Sequence, residues 1–208
     1  MAKLPKPSYD DEVSPAFHFL LWRLRLTEAT TQTTRAERDA LARHAQGRKR
    51  LVELGVWHGV TTKRLRAAMA HDAEIWAVDP YPVGRLRVSF QRLIAHTEVK
   101  NLENGHVHWI EMTGANAARR WRDTAQPPPD FLFVDGDHTW EGIQADWEGW
   151  SDLMEVGGVV ALHDSRAYSE RPIGDAGSVR FTQQVIRKDP RYHVVEEVDS
   201  LTVLRRMQ

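Results

Sequence analysis

The chain has 208 residues, 41% hydrophobic and 27% charged, with a formal net charge of −1 and no cysteine. Such values describe one globular domain with a sizeable core; they exclude disulfides, thiolate metal sites and cysteine nucleophiles, so any metal must take oxygen or imidazole ligands. No basic patch marks a nucleic-acid surface, no apolar run approaches the ~20 residues of a membrane span, and MAKLPKPSYDDEVSP lacks a signal-peptide core, so a cytoplasmic protein with no nucleic-acid or membrane partner is expected.

Residues 1–13 read as a loose, Pro- and charge-rich arm. Ser14 followed by Pro15 starts a helix, with Phe17, Leu20, Leu21 and Leu24 on one stripe. This amphipathic helix stands outside the main pattern, as a lid, a dimer contact or simple packing; a homodimer would cover it, and so would a face of the sheet. Thr27–Thr34 is a polar connection able to order around a ligand, and Arg35–Gln46 is a second helix stopped by Gly47. These elements make an N-terminal region of residues 1–47, ahead of a main domain over 48–208.

Strands then alternate with helices. Arg50–Gly55 runs into a turn, and the helix of VWHGVTTKRLRAAMA follows. Strand 75–79 precedes the breaker Pro80-Tyr81-Pro82 and a helix over 88–96; strand 107–111 precedes a helix over 115–122; strand Phe131–Val134 precedes a helix over 140–154; strand 159–162 ends in His163-Asp164. A helix over 179–187 leads to two strand-like runs, 192–197 and 201–205, joined by three residues, too few for a parallel crossover. The pattern predicts an α/β fold: a Rossmann-like, doubly wound, seven-stranded sheet, mostly parallel, with a C-terminal antiparallel hairpin and added N-terminal helices.

Ligands bind such sheets at the carboxyl ends of the strands. The first turn, Glu53-Leu54-Gly55-Val56-Trp57-His58-Gly59, places Trp57 where a dinucleotide fingerprint needs its middle glycine, which opposes a pyrophosphate cofactor and with it a dinucleotide oxidoreductase. Asp79, ending the second strand, suits the vicinal hydroxyls of a ribose, or is simply a turn residue before Pro80. Glu53 would repel a diphosphate and suits the cationic amino group of a methionine moiety. Asp135-Gly136-Asp137-His138 ends the apolar fourth strand; one helix cap accounts for one of its acidic residues, not for both and a histidine.

ELGVWHG, AVDPY, FVDGDHTWEG and GGVVALHD, in this order and at these spacings, resemble class I S-adenosylmethionine-dependent methyltransferases over about residues 48–206. The resemblance implies S-adenosylmethionine as cofactor, with Glu53, Gly55, Trp57, Gly59, Thr61, Asp79, Tyr81, Thr113, Gly114 and Asp135 around it. Within the class, metal-dependent O-methyltransferases of the catechol and caffeoyl-coenzyme A type carry an aspartate after the fourth strand and an Asp-Asn pair after the fifth. Their counterparts here are Asp135 and His163-Asp164, on neighbouring strands ~4.8 Å apart. Asp135, Asp164 and His163 are thus expected to hold Mg2+, or Mn2+ or Ca2+, with Asp137 either a further ligand or a helix cap and Asp164 alternatively a loop cap.

Those families place a base three residues past the first metal aspartate, usually lysine; His138 there resembles the sugar O-methyltransferases of macrolide and polysaccharide pathways, those of mycobacterial mannose polysaccharides included. The resemblance implies Asp135 and His138 as catalytic, His138 as general base on the hydroxyl of a sugar or oligosaccharide, or else as a hydrogen-bonding partner of the cofactor or helix start. A catechol acceptor and a non-catalytic cofactor-binding module are the alternatives. Trp140, Trp147 and Trp150 read as packing, and residues 165–178 as a loop long enough to be a substrate lid.

Overall fold

The computed structural model describes residues 14–83 and 87–208; the expected arm at 1–13 lies outside them. In chain order the elements are α1 (Pro15–Arg23), α2 (Arg35–Ala45), β1 (Arg50–Leu54), α3 (Val60–Ala68), β2 (Glu74–Val78), α4 (Phe90–Lys100), β3 (His106–Ile110), α5 (Gly114–Asp123), β4 (Phe131–Val134), α6 (Trp140–Trp150), β5 (Val159–Leu162), α7 (Gly177–Gln184), a short 3-10 turn (Ile186–Lys188), β6 (Tyr192–Val198) and β7 (Leu201–Arg206). The seven strands form one sheet in the order β3-β2-β1-β4-β5-β7-β6. β1 to β5 are parallel, and β7 lies between β5 and β6, antiparallel to both. The expected architecture, terminal hairpin included, is the one observed.

β1, β4 and β5 are apolar almost throughout because both their faces are covered. Val52, Leu54, Leu132, Val134, Val160 and Leu162 pack with Trp121 of α5 and Ile143, Trp147 and Trp150 of α6. The alternate positions, Leu51, Phe131, Phe133, Val159 and Ala161, pack with Ala40, Leu41 and Ala45 of α2 and Leu65 of α3. The α2 helix is therefore half of one core layer, continuous with the residues that follow it.

The expected stripe on α1 faces the other way. Phe17, Leu20 and Leu24 are more than half exposed, whereas His18 is buried and Phe19 and Trp22 turn towards α4. Phe19 lies 5.2 Å from the Phe90 ring, and the Trp22 indole donates to Glu98 at 2.9 Å. An aromatic pair and a hydrogen-bonded indole outweigh the leucines in setting the rotation of a nine-residue helix. Helix edges also shift: α4 starts at Phe90 because the Ser89 hydroxyl caps it and runs on to Lys100, α6 ends at Trp150, and α7 spans Gly177–Gln184. Among the described residues no helix is long and apolar enough to cross a membrane.

Register brings the strand ends level. Leu54 pairs with Val78 and Val134, and Val134 with Leu162. One further main-chain bond follows each: Gly55 N donates to Val78 O at 2.9 Å, Asp135 N to Leu54 O at 2.7 Å and His163 N to Val134 O at 3.0 Å; Asp79 N likewise donates to Ile110 O on β3 at 3.1 Å. Gly55, Asp79, Asp135 and His163 thus stand in a row just past the sheet.

Candidate active site

Gly55 has a φ of +85°, and a Cβ there would lie 2.0 Å from the Asp135 carbonyl oxygen. Only glycine allows the β1 and β4 ends to approach this closely. Asp79 then organises the turn: its carboxylate accepts the amides of Val56 (2.9 Å), Trp57 (3.1 Å) and Tyr81 (2.8 Å). About three of its roughly four acceptor positions are filled by main chain, leaving about one for a ribose hydroxyl. Trp57, Tyr81 and Asp164 all have positive φ, from 41° to 52°, a conformation costly for residues with side chains and concentrated here at one edge of the sheet.

Two cavities open on this edge. The larger, about 490 Å³, is lined by the β1, β2, β3 and β4 ends, including Gly55, Asp79, Thr113, Gly114, Asp135 and Asp137. The smaller, about 220 Å³, is lined by Thr30, Thr31, Gln32, Thr61 and His138. The two adjoin, sharing Gly55, Trp57, Asp135 and Gly136. The connection before α2 is what closes the smaller one: Thr30 Oγ1 accepts the Trp57 indole at 3.1 Å and meets His58 Nδ1 at 2.8 Å.

Of the expected cofactor residues, Gly55, Trp57, Asp79, Thr113, Gly114 and Asp135 line the larger cavity. Thr61 lines the smaller one, and Gly59 caps α3 at φ +74°. Glu53 and Tyr81 line neither. Period-two alternation sends Glu53 to the α3 face beside Thr62, where burial, and then the charges of Asp135 and Asp79, raise its carboxyl well above the carboxylate range. The Tyr81 ring packs with Val56, Ala77 and Ala95.

His138 Nε2 lies 3.9 Å from Asp135 Oδ1 and 3.7 Å from Asp164 Oδ2. Its carbonyl accepts Ser178 N, while Ser178 Oγ donates to the Asp164 carbonyl, so the start of α7 fastens both loops. Asp137 accepts the Thr139 amide at 2.9 Å, but the cap of α6 is Thr139, whose hydroxyl accepts the Gly142 amide at 3.0 Å. Trp147 and Trp150 are core residues, and the Trp150 indole holds the Gly114 carbonyl at 3.0 Å.

His163 is fully buried, with Nδ1 2.8 Å from Asp135 Oδ1 and Nε2 3.3 Å from Glu37 Oε2. Burial disfavours its charge, but the charge and hydrogen bond of Asp135, with Glu37 and Asp164, push it up to about 10. Burial would likewise raise Glu37; the His163 bond and charge, with Thr34 and Ser200, instead hold it at about 2. Asp164 Oδ2 accepts Arg171 Nη2 at 2.5 Å, and its other oxygen, which makes no hydrogen bond, lies 3.7 Å from His163 Nδ1. The expected donor set is thus taken up by cations, and no three His, Asp or Glu side chains among the described residues form a metal-holding group. The residues present do not fit a divalent ion.

Three contributors went unrecognised in the sequence. Glu37 is visible there only as the last residue of the T-x-x-E capping box from Thr34, which does form. Arg171 lies in the loop after β5 with no motif around it. Asp146 of α6 is 7% exposed and lines the larger cavity; burial, with the charge of Asp137, pushes its carboxyl up to about 7.

A family model described as a methyltransferase domain matches residues 52–165. The fold is shared with an O-methyltransferase from Bacillus cereus crystallised with SAH, at a TM-score of 0.63 and 16% identity, covering 97% of this chain and 93% of that one. It is shared with the O-methyltransferase TomG of Streptomyces achromogenes, involved in tomaymycin synthesis and solved with SAM (TM-score 0.64, 12% identity, 94% and 91%). An rRNA methylase from Streptococcus thermophilus is also similar (TM-score 0.58, 16% identity, 86% and 100%).

Proposed function

Because the chain belongs to the methyltransferase-domain family whose model it matches over residues 52–165, we propose that it is an S-adenosylmethionine-dependent O-methyltransferase acting on a hydroxyl of a sugar or other polyhydroxylated small molecule. The observation that carries this reading is the junction of the two cavities at Gly55, Trp57, Asp135 and Gly136, with His138 lining the smaller one alone. A donor held on one side and an acceptor on the other would meet beside an imidazole. The Bacillus and Streptomyces neighbours, solved with SAH and SAM, support the cofactor.

We place the adenosyl group in the larger cavity. Gly55 and Gly114 belong to its wall, and a Cβ at either would collide with Asp135 or Asp146 and deform that wall. Asp79 keeps about one acceptor position for the ribose, and Asp146 presents a buried carboxyl. S-adenosylmethionine, when bound, supplies an electrophilic methyl group on a sulfonium. His138 orients the acceptor hydroxyl and takes its proton as that oxygen becomes an ether oxygen. The imidazolium so formed lies 3.9 and 3.7 Å from the oxygens of Asp135 and Asp164, which stabilise it. Thr30, Thr31, Gln32 and Thr61 give the smaller cavity a polar lining, which favours a polyhydroxylated acceptor over the catechol alternative.

The test is transfer of labelled methyl from S-adenosylmethionine to a panel of sugars, oligosaccharides and catechols, alongside calorimetry with SAH. SAH binding with label in saccharides supports the proposal. Label in catechols alone would replace the acceptor class, and a chain that does not bind SAH would remove the cofactor.

A further inference from the structure

We propose that Arg171 and His163 stand in this chain where a divalent ion would otherwise sit, so that the Asp135–Asp164 pair is charge-compensated from within and the site binds no metal. The inference rests on the methyltransferase reading of the same site, and four observations carry it.

The first concerns the room around His163. Its Nδ1 lies 2.8 Å from Asp135 Oδ1 and its Nε2 3.3 Å from Glu37 Oε2, so a cation approaching either nitrogen would meet the place that a carboxylate oxygen already fills. Glu37 is fixed in turn by the Ser200 amide and hydroxyl at 2.8 and 2.7 Å and by the Thr34 amide at 2.7 Å. The histidine therefore cannot be turned into a ligand without breaking a buried network.

The second concerns Asp164, which is 3% exposed. One oxygen takes the Arg171 guanidinium at 2.5 Å, and the other faces His163 at 3.7 Å. An ion reaching this carboxylate would have to displace a guanidinium from it.

The third is the balance of charge. Arg171 brings a permanent guanidinium charge to the carboxylates of this edge and sets it against Asp164. A divalent ion placed beside that guanidinium would be repelled by it.

The fourth is where the arginine comes from. Arg171 pairs its main chain with Tyr168, at 3.1 and 3.2 Å, in the loop between β5 and α7. The same Nη2 that holds Asp164 also donates to Gln32 at 2.7 Å, and Gln32 lines the smaller cavity. A single guanidinium thus ties the loop after β5 and the connection before α2 to the catalytic edge, making Arg171 a positioning residue whose charge is delivered only when both segments are in place.

The experiment is a Mn2+ titration of chelator-treated, desalted protein in the presence of SAH, following the electron paramagnetic resonance signal of free Mn2+. Calorimetry of SAH binding is run on the same samples with and without EDTA. For the wild type the free-ion signal should rise as in buffer, and SAH affinity should be unchanged by EDTA. Arg171→Met should create a site binding Mn2+ at least about tenfold more tightly than the wild type, while Arg171→Lys, which keeps the charge, should behave as the wild type. One Mn2+ bound by the wild type with a Kd below about 0.1 mM, and lost in Asp164→Asn, would overturn the proposal. Absence of Mn2+ binding in both the wild type and a folded Arg171→Met would overturn the role given to Arg171. Failure to bind SAH would count against the methyltransferase reading alone, whatever the metal result.

Discussion

Glu37, in the first turn of α2, faces His163 at the end of β5 with 3.3 Å between Oε2 and Nε2, and both side chains are completely buried. The helix-capping acid is thereby also the far anchor of the catalytic edge, since His163 passes the constraint on to Asp135. Replacing Glu37 with Ala leaves an imidazolium buried beside an empty space and the Ser200 amide unpaired. Removing one partner of a buried pair costs on the order of 3–5 kcal/mol, which urea denaturation of the variant should show. A loss below about 1 kcal/mol, the level of an exposed pair, would contradict the arrangement.

The same pair dictates a pH dependence. Glu37 is lowered from 4.5 to about 2 on folding, so its stabilisation is present above 4.5 and disappears as pH falls through about 2. His163 is raised from 6.5 to about 10, so its stabilisation is complete below 6.5 and disappears as pH rises through about 10. The stability difference between the wild type and Glu37→Ala should therefore be largest between pH 4.5 and 6.5 and shrink on both sides. Denaturant midpoints measured across the range check this, and a difference that grows towards pH 10 would refute it.

Asp146 behaves in the opposite sense. Its carboxyl is raised from 3.8 to about 7, so its ionised form is a burden on the folded state that grows as pH rises above 3.8 and is complete above about 7. Asp146→Asn should then stabilise the protein at pH 8.5, by at most ~4 kcal/mol, and change little near pH 4. A variant equally destabilised at both pH values would show that the carboxylate is satisfied in a way the cavity does not suggest. A costly acid retained in a cavity wall is what ligand recognition requires.

Gly55 tests the cavity itself. Alanine there must adopt φ +85° and bring a methyl group to 2.0 Å from a main-chain carbonyl that cannot swing aside. Gly55→Ala should cost roughly 1–3 kcal/mol or more in stability and abolish SAH binding in calorimetry. Gly47, whose φ is +73° with nothing near an added Cβ, is the control: Gly47→Ala pays strain alone and should leave SAH affinity unchanged.

His138→Ala should lower methyl transfer by about 10²–10⁴-fold, with SAH affinity within about threefold of the wild type, because the ring lines the acceptor cavity and not the larger one. Comparable losses in transfer and SAH binding would move His138 to a role in the cofactor site.

Much of this is legible in the sequence. FLFV reads as a buried strand because a short apolar, β-rich run stops at an acidic turn, and three residues between 197 and 201 suffice to demand a hairpin. Asp135, Gly55 and Thr113 follow from their positions at strand ends. Glu37, Asp146 and Arg171 were not legible, because each sits where a charged residue is ordinarily solvated: a helix first turn, a helix face and a loop. The burial of the first two is decided by other elements, β5 for Glu37 and the start of α5 at Gly114 for Asp146. Glu53 and Tyr81 line neither cavity: position at a strand end places a residue, but for Glu53 the pleat decides which face it serves. His163 and Asp164 were correctly placed beside Asp135, yet spacing alone is silent on whether a metal or a guanidinium fills the gap between carboxylates.

β7 lies between β5 and β6 although it follows both in the chain. During synthesis, the hydrogen-bonding edge of β5 therefore stays open until residues 201–206 have left the ribosome, and β6, made earlier, has nothing to pair with until then. An apolar strand waiting with a free edge is a template for pairing with another molecule. Nascent chains stalled before residue 201 should be the aggregation-prone species, and the same late insertion of β7 sets the moment at which Ser200 first reaches Glu37 and the catalytic edge locks.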